Sequence, residues 1–140
     1  MGVKQMEQVD QIGDFKMINI LLVDAYALLR KILKKQIDLE PDLRVIGEAE
    51  NGPSTLEKAQ SLRPDVILMD LDIPGMDGLE TTRALKAIVP QIPVILLSLS
   101  QNEALRKTVL KMGATDLITK EVDPKVLFNA IRRAAVSDKI

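Results

Sequence analysis

Three apolar runs of strand length constrain the fold of this chain more than any other feature of its sequence. The runs occupy residues 18–23 (INILLV), 65–70 (DVILMD) and 93–98 (PVILLS). A strand that is apolar on both faces needs cover on both, which is typical of parallel sheets with helices packed against each side. The runs therefore predict the central strands of an α/β domain.

A helix-length segment with one apolar face follows the first run. The residues that recur on this face, and that we expect to be buried, are Leu28, Leu29, Ile32, Leu33 and Ile37. The basic residues between them are interpreted as a solvated outer face and not as a nucleic-acid patch: Arg30, Lys31, Lys34 and Lys35. Pro41 ends the predicted helix, because the residue before a proline avoids helical backbone.

Turn and capping residues mark the elements in the middle of the chain. Residues 43–49 alternate like a half-buried strand, and an Asn-Gly-Pro turn then starts a helix that should end near Leu62. The breaker-rich loop 72–78 (DIPGMDG) leads into a helix for which Asp77 and Glu80 have capping-box spacing.

The last part of the chain repeats the same alternation. Ser100 and Glu103 have capping-box spacing for a helix that Gly113 ends, and residues 114–119 (ATDLIT) read as a short strand. An Asp-Pro start then precedes a final helix whose predicted buried stripe is Val126, Leu127, Ala130, Ile131 and Ala134. Five strands alternating with five helices predict a parallel sheet that right-handed crossovers cover on both faces.

Composition limits the chemistry that this domain can perform. The 140 residues include no Cys and no His, which removes disulfides, thiolate metal sites and the commonest general base. Lys and Arg number 19 against 20 Asp and Glu, so nothing in the balance favours nucleic acid as a partner. No apolar run approaches the roughly 20 residues that span a bilayer. We therefore expect a cytoplasmic domain that works with carboxylates, hydroxyls and lysines.

Polar residues close the predicted strands, where functional groups collect in an open parallel sheet. Asp24 follows the first run, Asp70 ends the third strand, Ser98 ends the fourth and Lys120 follows the fifth, while Asp72 lies just past Asp70. Taken singly, Asp24 reads equally well as a helix cap, and Asp72 reads more readily as a turn residue than as a functional one. Together they suit phosphoryl transfer, in which a carboxylate is the nucleophile and cations stabilise the transferred group.

Residues 17–137 resemble the receiver domain of bacterial two-component response regulators. The most specific stretch is 63–78 (RPDVILMDLDIPGMDG), and PVILLS and GATDLITK match the fourth and fifth strands of the family. The last helix, DPKVLFNAIRRA, is similar to that of the subfamily whose members often carry a helix-turn-helix output domain. The resemblance implies a flavodoxin-like, doubly wound α/β fold of five parallel strands in the order 2-1-3-4-5 with five helices.

The resemblance also implies a role for each residue at the strand ends. Asp70 would accept a phosphoryl group from a histidine kinase or phosphotransfer protein, and the family's loop proline and turn glycine fall on Pro74 and Gly78. Ser98 would be the switch hydroxyl and Lys120 the lysine that contacts the phosphoryl group. Mg²⁺ would be bound by Asp24, Asp70 and the backbone carbonyl of Asp72. On this reading the chain is a signalling module and not an enzyme.

Three positions depart from the family pattern. Ala25 stands where a second acid normally binds Mg²⁺, so we expect weaker metal binding, which the Asp72 side chain is hypothesised to restore in part. Leu117 stands at the position of the family's aromatic switch residue, and Glu121 replaces a frequent proline after Lys120. These departures indicate a changed metal site and a changed output.

Two other functions remain open on the sequence alone. The Ala25 and Leu117 departures allow a receiver-like interaction module that phosphorylation does not regulate. The Asp70-Leu71-Asp72 sequence also resembles the nucleophile motif of haloacid-dehalogenase-type phosphatases, although that motif usually closes the first strand of its domain and here it closes the third.

The sequence also predicts how the chain is divided and what it binds. Residues 1–16 are expected to form a flexible leader, and residues 17–138 the receiver domain. A homodimer through the last two helices is a family expectation. No helical pair follows the last helix, so we expect no nucleic-acid binding by this chain, and no membrane contact.

Overall fold

The computed structural model describes residues 16–100 and 102–137. Strand and helix alternate along this part of the chain, as the sequence predicts. The elements are β1 (Ile18–Val23), α1 (Ala27–Asp38), β2 (Leu43–Ala49), α2 (Gly52–Leu62), β3 (Val66–Asp70), α3 (Gly78–Ile88), β4 (Val94–Ser98), α4 (Glu103–Lys111), β5 (Asp116–Thr119) and α5 (Pro124–Ser137). The predicted leader falls almost entirely outside the described residues and stays a prediction.

The strands form one parallel sheet in the order β2-β1-β3-β4-β5. The expected doubly wound, flavodoxin-like α/β fold is confirmed. The register of β1 against β2 shifts once, between Ile20 and Leu21. Because all five strands run in the same direction, their carboxyl ends meet at one edge of the sheet, which we call the carboxyl edge.

Helices cover both faces of the sheet, which explains why its central strands are apolar throughout. One face packs against Ile37 of α1 and Ile131 of α5. The other face packs against Ala59 of α2, Leu85 of α3 and Val109 of α4. No helix among the described residues is long and apolar enough to cross a membrane.

The apolar face predicted for α1 is only partly buried. Ile37 is fully buried and Leu33 packs against the core, but Leu28, Leu29 and Ile32 are 68%, 45% and 48% exposed. Periodicity selects residues for one side of a helix, and here that side is wider than the strip that the sheet and α5 cover. Val126, predicted to be buried in α5, is likewise 46% exposed.

The structure confirms the cap predicted for α3, shows a cap at α2 that the sequence analysis did not name, and differs from the prediction at α4. Asn51 caps α2 and Asp77 caps α3, each side chain accepting a hydrogen bond from a backbone N–H three residues later. The predicted Ser100 cap of α4 is wrong. Asn102 Oδ1 accepts from the Leu105 backbone N–H instead, because Asn102 directly precedes the first helical residue.

Candidate functional site

Four of the predicted site residues lie together at the carboxyl edge of the sheet. Asp70 ends β3, Ser98 ends β4, Asp24 directly follows β1 and Lys120 directly follows β5. β1 and β4 are the two neighbours of β3, so the Asp24 and Ser98 positions flank Asp70. The parallel topology thus gathers residues that are far apart in the sequence.

Asp70 is a buried carboxylate with a partner for each oxygen. Its side chain is 2% exposed, and Oδ2 accepts a hydrogen bond of 2.9 Å from Lys120 Nζ. Oδ1 accepts from the backbone N–H of Asp72 at 3.0 Å. Burying an ionised carboxylate is costly unless it is paired, and Lys120 supplies the paired charge.

Asp24 is a second buried carboxylate at the same edge. Its Oδ1 accepts from the Tyr26 backbone N–H at 2.9 Å, and its Oδ2 lies 4.0 Å from Lys120 Nζ. Burial raises the pKa of Asp24 above its usual value, and the negative charge of Asp70 raises it further. The site therefore holds two carboxylates close to one ammonium, an arrangement that an additional cation would stabilise.

Arg30 helps to fix the position of Asp24, which the sequence analysis missed. Its guanidinium donates to the Asp24 backbone carbonyl and to Glu48 Oε1, the latter at 2.9 Å. The side chain is only 13% exposed, so the prediction that Arg30 belongs to a solvated face is wrong. Glu48 lies near the end of β2. An acidic residue at that position was the feature of the sequence from which an ion pair with Arg30 could have been predicted.

The loops after β4 and β3 hold the rest of the site in place. Ser98 is 3% exposed, and its Oγ accepts from the Ser100 backbone N–H at 3.1 Å. After β3 the chain turns back so that the Gly78 N–H donates to the Leu71 carbonyl at 2.9 Å. A Cβ on Gly78 would lie 2.7 Å from that same carbonyl oxygen, so only glycine fits this turn.

The available donors suit a hard divalent cation, but they are few. The carboxylates of Asp24 and Asp70 and the backbone carbonyl of Asp72 are the oxygen ligands that Mg²⁺ prefers. The Asp72 side chain is exposed, and among residues 16–100 and 102–137 no three acidic side chains form a cluster able to hold a metal. Ala25, half-buried beside Asp24, supplies no oxygen from its side chain.

Comparison with known proteins assigns the chain to a family. The model of the response regulator receiver domain matches residues 20–132. The chain belongs to this family. Receiver domains are the phosphorylation-accepting part of two-component signal transduction, and the match favours neither the phosphate-independent module nor the phosphatase.

Relatives of this receiver domain extend well beyond it. The nitrate/nitrite response regulator protein NarL of Escherichia coli (strain K12) is 40% identical over 121 residues, which are 86% of this chain and 56% of that protein. A protein-glutamate methylesterase/protein-glutamine glutaminase of Halalkalibacterium halodurans is 38% identical over 109 residues, or 76% of this chain and 31% of the relative. The chain thus spans about half and about a third of their lengths.

A solved receiver structure has the same fold. The response regulator domain of Thermotoga maritima CheB matches with a TM-score of 0.77 at 35% identity, covering 86% of this chain and 97% of that one.

Leu117 occupies an interior position of this receiver domain. Its side chain is fully buried, and its backbone carbonyl accepts from Arg106 Nη1 at 3.1 Å. Arg106 Nη2 also lies 3.1 Å from Asp116 Oδ1, so one α4 side chain binds two consecutive residues of β5. The position that the resemblance assigns to the family's aromatic switch residue is therefore filled by an aliphatic side chain within the core.

Proposed function

We propose that Asp70 accepts a phosphoryl group from a histidine kinase or phosphotransfer protein and that this changes the binding surface of the receiver domain. In the reaction one Asp70 carboxylate oxygen forms a bond to phosphorus while the phosphorus–nitrogen bond to the donor histidine breaks. The bonding electrons leave with the imidazole, and no oxidant or further reactant is needed. Asp70 thereby becomes an aspartyl phosphate.

The observation that carries this proposal is the contact of 2.9 Å between Lys120 Nζ and Asp70 Oδ2. It sets a mobile positive charge next to the nucleophile, where the three oxygens of a transferred phosphoryl group would need one. When Asp70 is esterified, the ammonium can move from the lost carboxylate charge to a phosphoryl oxygen. Lys120 is 24% exposed, so it has room to make that movement.

Mg²⁺ would be held by the Asp24 and Asp70 carboxylates and the Asp72 carbonyl. When bound, it would neutralise charge on the transferred phosphoryl group. The raised pKa of Asp24 supports this assignment, because burial and the nearby charge of Asp70 both disfavour the ionised carboxylate, which a bound cation would stabilise. Because position 25 is alanine, we expect this site to bind Mg²⁺ more weakly than a site with a second acid, since affinity for the cation increases with the number of charged ligands.

The output of phosphorylation would begin at the hydroxyl of Ser98. Ser98 directly follows Leu97, the residue that faces Asp70 across the strand pair, so its hydroxyl is well placed to donate to a phosphoryl oxygen. That donation would alter the present contact between Ser98 Oγ and the Ser100 N–H, and with it the loop before α4. A homodimer through α4 and α5 and a cytoplasmic location belong to the same proposal.

Intact-mass measurement with acetyl phosphate and Mg²⁺ tests the proposal directly. We expect one phosphoryl adduct on the wild-type protein and none on Asp70→Asn. Asp77→Asn, in which a nearby exposed acid is changed and can still cap α3, is the matched control and should keep the adduct. An unmodified wild type under conditions that label Ala25→Asp would instead support an interaction module that phosphate does not regulate.

A further inference from the structure

Exposed apolar side chains form a stripe along most of the length of α1. Leu29, Ile32 and Leu39 are 45%, 48% and 83% exposed, and together with Gln36 they recur at helical spacing on one side of the helix. None of the three apolar residues belongs to either core cluster. We call these four residues the α1 stripe. Contiguous apolar surface rimmed by charged residues commonly marks a binding site.

A groove of about 190 Å³ opens beside the α1 stripe, towards the start of α5. Leu29, Ile32 and Gln36 line one wall, and Val122 and Leu127 line the other. The volume equals that of about six water molecules, which is room for an apolar side chain inserted between α1 and α5. The stripe and the groove together suit a polypeptide segment with one apolar side.

The chain that precedes β1 joins the domain close to the end of the α1 stripe. The Ile18 backbone N–H donates to the carbonyl of Asp42, in the loop after α1, at 2.8 Å. The Ile18 side chain packs against the core on the α1 side of the sheet. As a helix, residues 3–15 would span about 20 Å, which exceeds the roughly 18 Å of the 12-residue α1. This segment is therefore long enough to reach along the whole stripe.

The segment 3–15 has an apolar pattern that fits such a surface. Apolar residues recur at every third position, namely Val3, Met6, Val9, Ile12 and Phe15. In a helix, residues three apart are neighbours on the surface, so Met6, Val9 and Ile12 would share one side. An apolar side of this width matches the narrow α1 stripe.

The charges of the segment and of α1 are complementary. Glu7, Asp10 and Asp14 outnumber Lys4 in the segment, and helical spacing would place the three acids together beside its apolar side. Two exposed lysines of α1 lie next to the stripe, Lys31 and Lys35. Opposite charges along the rims of two apolar surfaces favour their association and fix its orientation.

We propose that residues 3–15 bind along the α1 stripe as an amphipathic helix and place an apolar side chain in the groove. The helix would run parallel to α1, because it continues into residue 16 at the end of the sheet where α1 ends. This contact takes the place of the flexible leader that the sequence predicts. The groove extends to Thr119 and Lys120, so the bound segment covers surface next to the proposed phosphoacceptor site, and another protein has to displace it to use that surface.

Paramagnetic NMR on the full chain tests this proposal. The sequence contains no Cys, so a Gln8→Cys variant carries a single nitroxide label. We expect the label to broaden the methyl signals of Leu29 and Ile32, with loss of most of their intensity. The methyl signals of Val109, which packs on the opposite face of the sheet, should stay sharp.

Matched substitutions in the labelled protein separate specific binding from chance proximity. Ile12→Asp should abolish the broadening, because it puts a charge on the apolar side of the segment. Gln11→Asp adds the same charge one residue away, outside that side, and should keep the broadening. Lys35→Glu should weaken it, whereas Lys107→Glu, an exposed position on α4, should not.

The same label distinguishes the possible occupants of the α1 stripe. No broadening at Leu29 and Ile32, or broadening that Ile12→Asp leaves unchanged, would overturn the proposal and assign the stripe to a protein partner. A mixture of spin-labelled protein without isotope and isotope-labelled protein without nitroxide detects contacts between molecules. Broadening of equal strength in that mixture would also overturn the proposal, and would assign the stripe to a second copy of this chain.

Discussion

The charges of Asp24, Asp70 and Lys120 determine how strongly this receiver domain can bind a divalent cation. Two buried carboxylates share one ammonium, and the side chain that would add a third negative charge is the methyl group of Ala25. The site is thereby less costly to fold without metal and less attractive to metal than one with two consecutive acids. Folding and metal binding place opposite demands on this position.

The first residue-scale prediction concerns Ala25. Restoring a carboxylate with Ala25→Asp should raise Mg²⁺ affinity about tenfold or more, since each added charged ligand strengthens a site for a hard cation. Titration with Mg²⁺, followed by calorimetry or NMR, measures the change. Ala25→Asn adds an oxygen without charge and should give a smaller gain. Equal affinities for all three proteins would show that position 25 does not face the ion.

The second residue-scale prediction concerns the stability cost of Asp24. Its pKa is raised in the folded state, chiefly by burial, so the folded protein binds a proton more readily than the unfolded chain does. The cost is absent below the usual pKa of the group, appears as pH rises through that value, and is complete above the raised pKa. Asp24→Asn should therefore raise the free energy of unfolding at pH 7 in metal-free buffer.

Denaturant unfolding at pH 7 and in the acid range checks the Asp24 prediction. The gain from Asp24→Asn should shrink towards low pH, where the wild-type carboxyl is protonated. A gain of the same size at every pH would assign the effect to packing and not to charge.

At the scale of elements, α1 shows that the periodicity of apolar residues predicts a helix but does not predict which of those residues are buried. Ile37 is fully buried, whereas Leu28 is 68% exposed on the same helix. Ile37→Ala should lower the free energy of unfolding by about 2–5 kcal/mol through lost burial and a cavity. Leu28→Ala should change it by about 0.5 kcal/mol or less. Thermal and denaturant unfolding measure both, and a large loss in Leu28→Ala would mean that this face is covered in solution.

The contact between α5 and the loop before β2 should make the free energy of unfolding fall as the pH becomes acidic. Arg132 Nε and Nη2 each lie 2.8 Å from an oxygen of Asp42, and hydrogen bonding to Arg132 lowers the pKa of Asp42 below its usual 3.8. The stabilisation is present above that usual value and is lost as pH falls through the lowered pKa.

Asp42→Asn tests this acid dependence. We expect it to cost about 1–2 kcal/mol of unfolding free energy at neutral pH, since it removes a charged partner of a half-buried pair. It should also flatten the fall in stability below about pH 4. Unfolding curves that keep the same acid slope in the variant would contradict the assignment to Asp42.

At the scale of the whole molecule, the sequence predicts the architecture better than the site. Apolar runs such as 65–70 identify buried strands because the requirement to cover both faces acts on every residue of the strand. Capping residues such as Asp77 identify helix starts because they act over three residues. Both signals are local, and the alternation of elements then allows few topologies.

The features that sequence analysis misses depend on distances between separate elements. The Arg30–Glu48 ion pair joins α1 to β2, and the exposure of Leu28 depends on what lies beside α1. Neither follows from the spacing of residues along one element. From the sequence, Lys120 and Asp70 could be expected only to lie near each other at the carboxyl edge. The distance of 2.9 Å between Lys120 Nζ and Asp70 Oδ2 depends on how β3 and β5 are placed in the sheet, which the sequence does not give.

The interior position of β1 in the sheet, between β2 and β3, has a consequence for synthesis on the ribosome. β1 pairs with β2 on one side and with β3 on the other, yet it is made before either of them. Until β3 emerges, the nascent chain carries an apolar strand with an unpaired edge, which is the form most prone to associate with other chains. Once β3 has paired, β4 and β5 each add to one growing edge in the order in which they are translated. The vulnerable interval is therefore the time between the synthesis of β1 and the pairing of β3 with it.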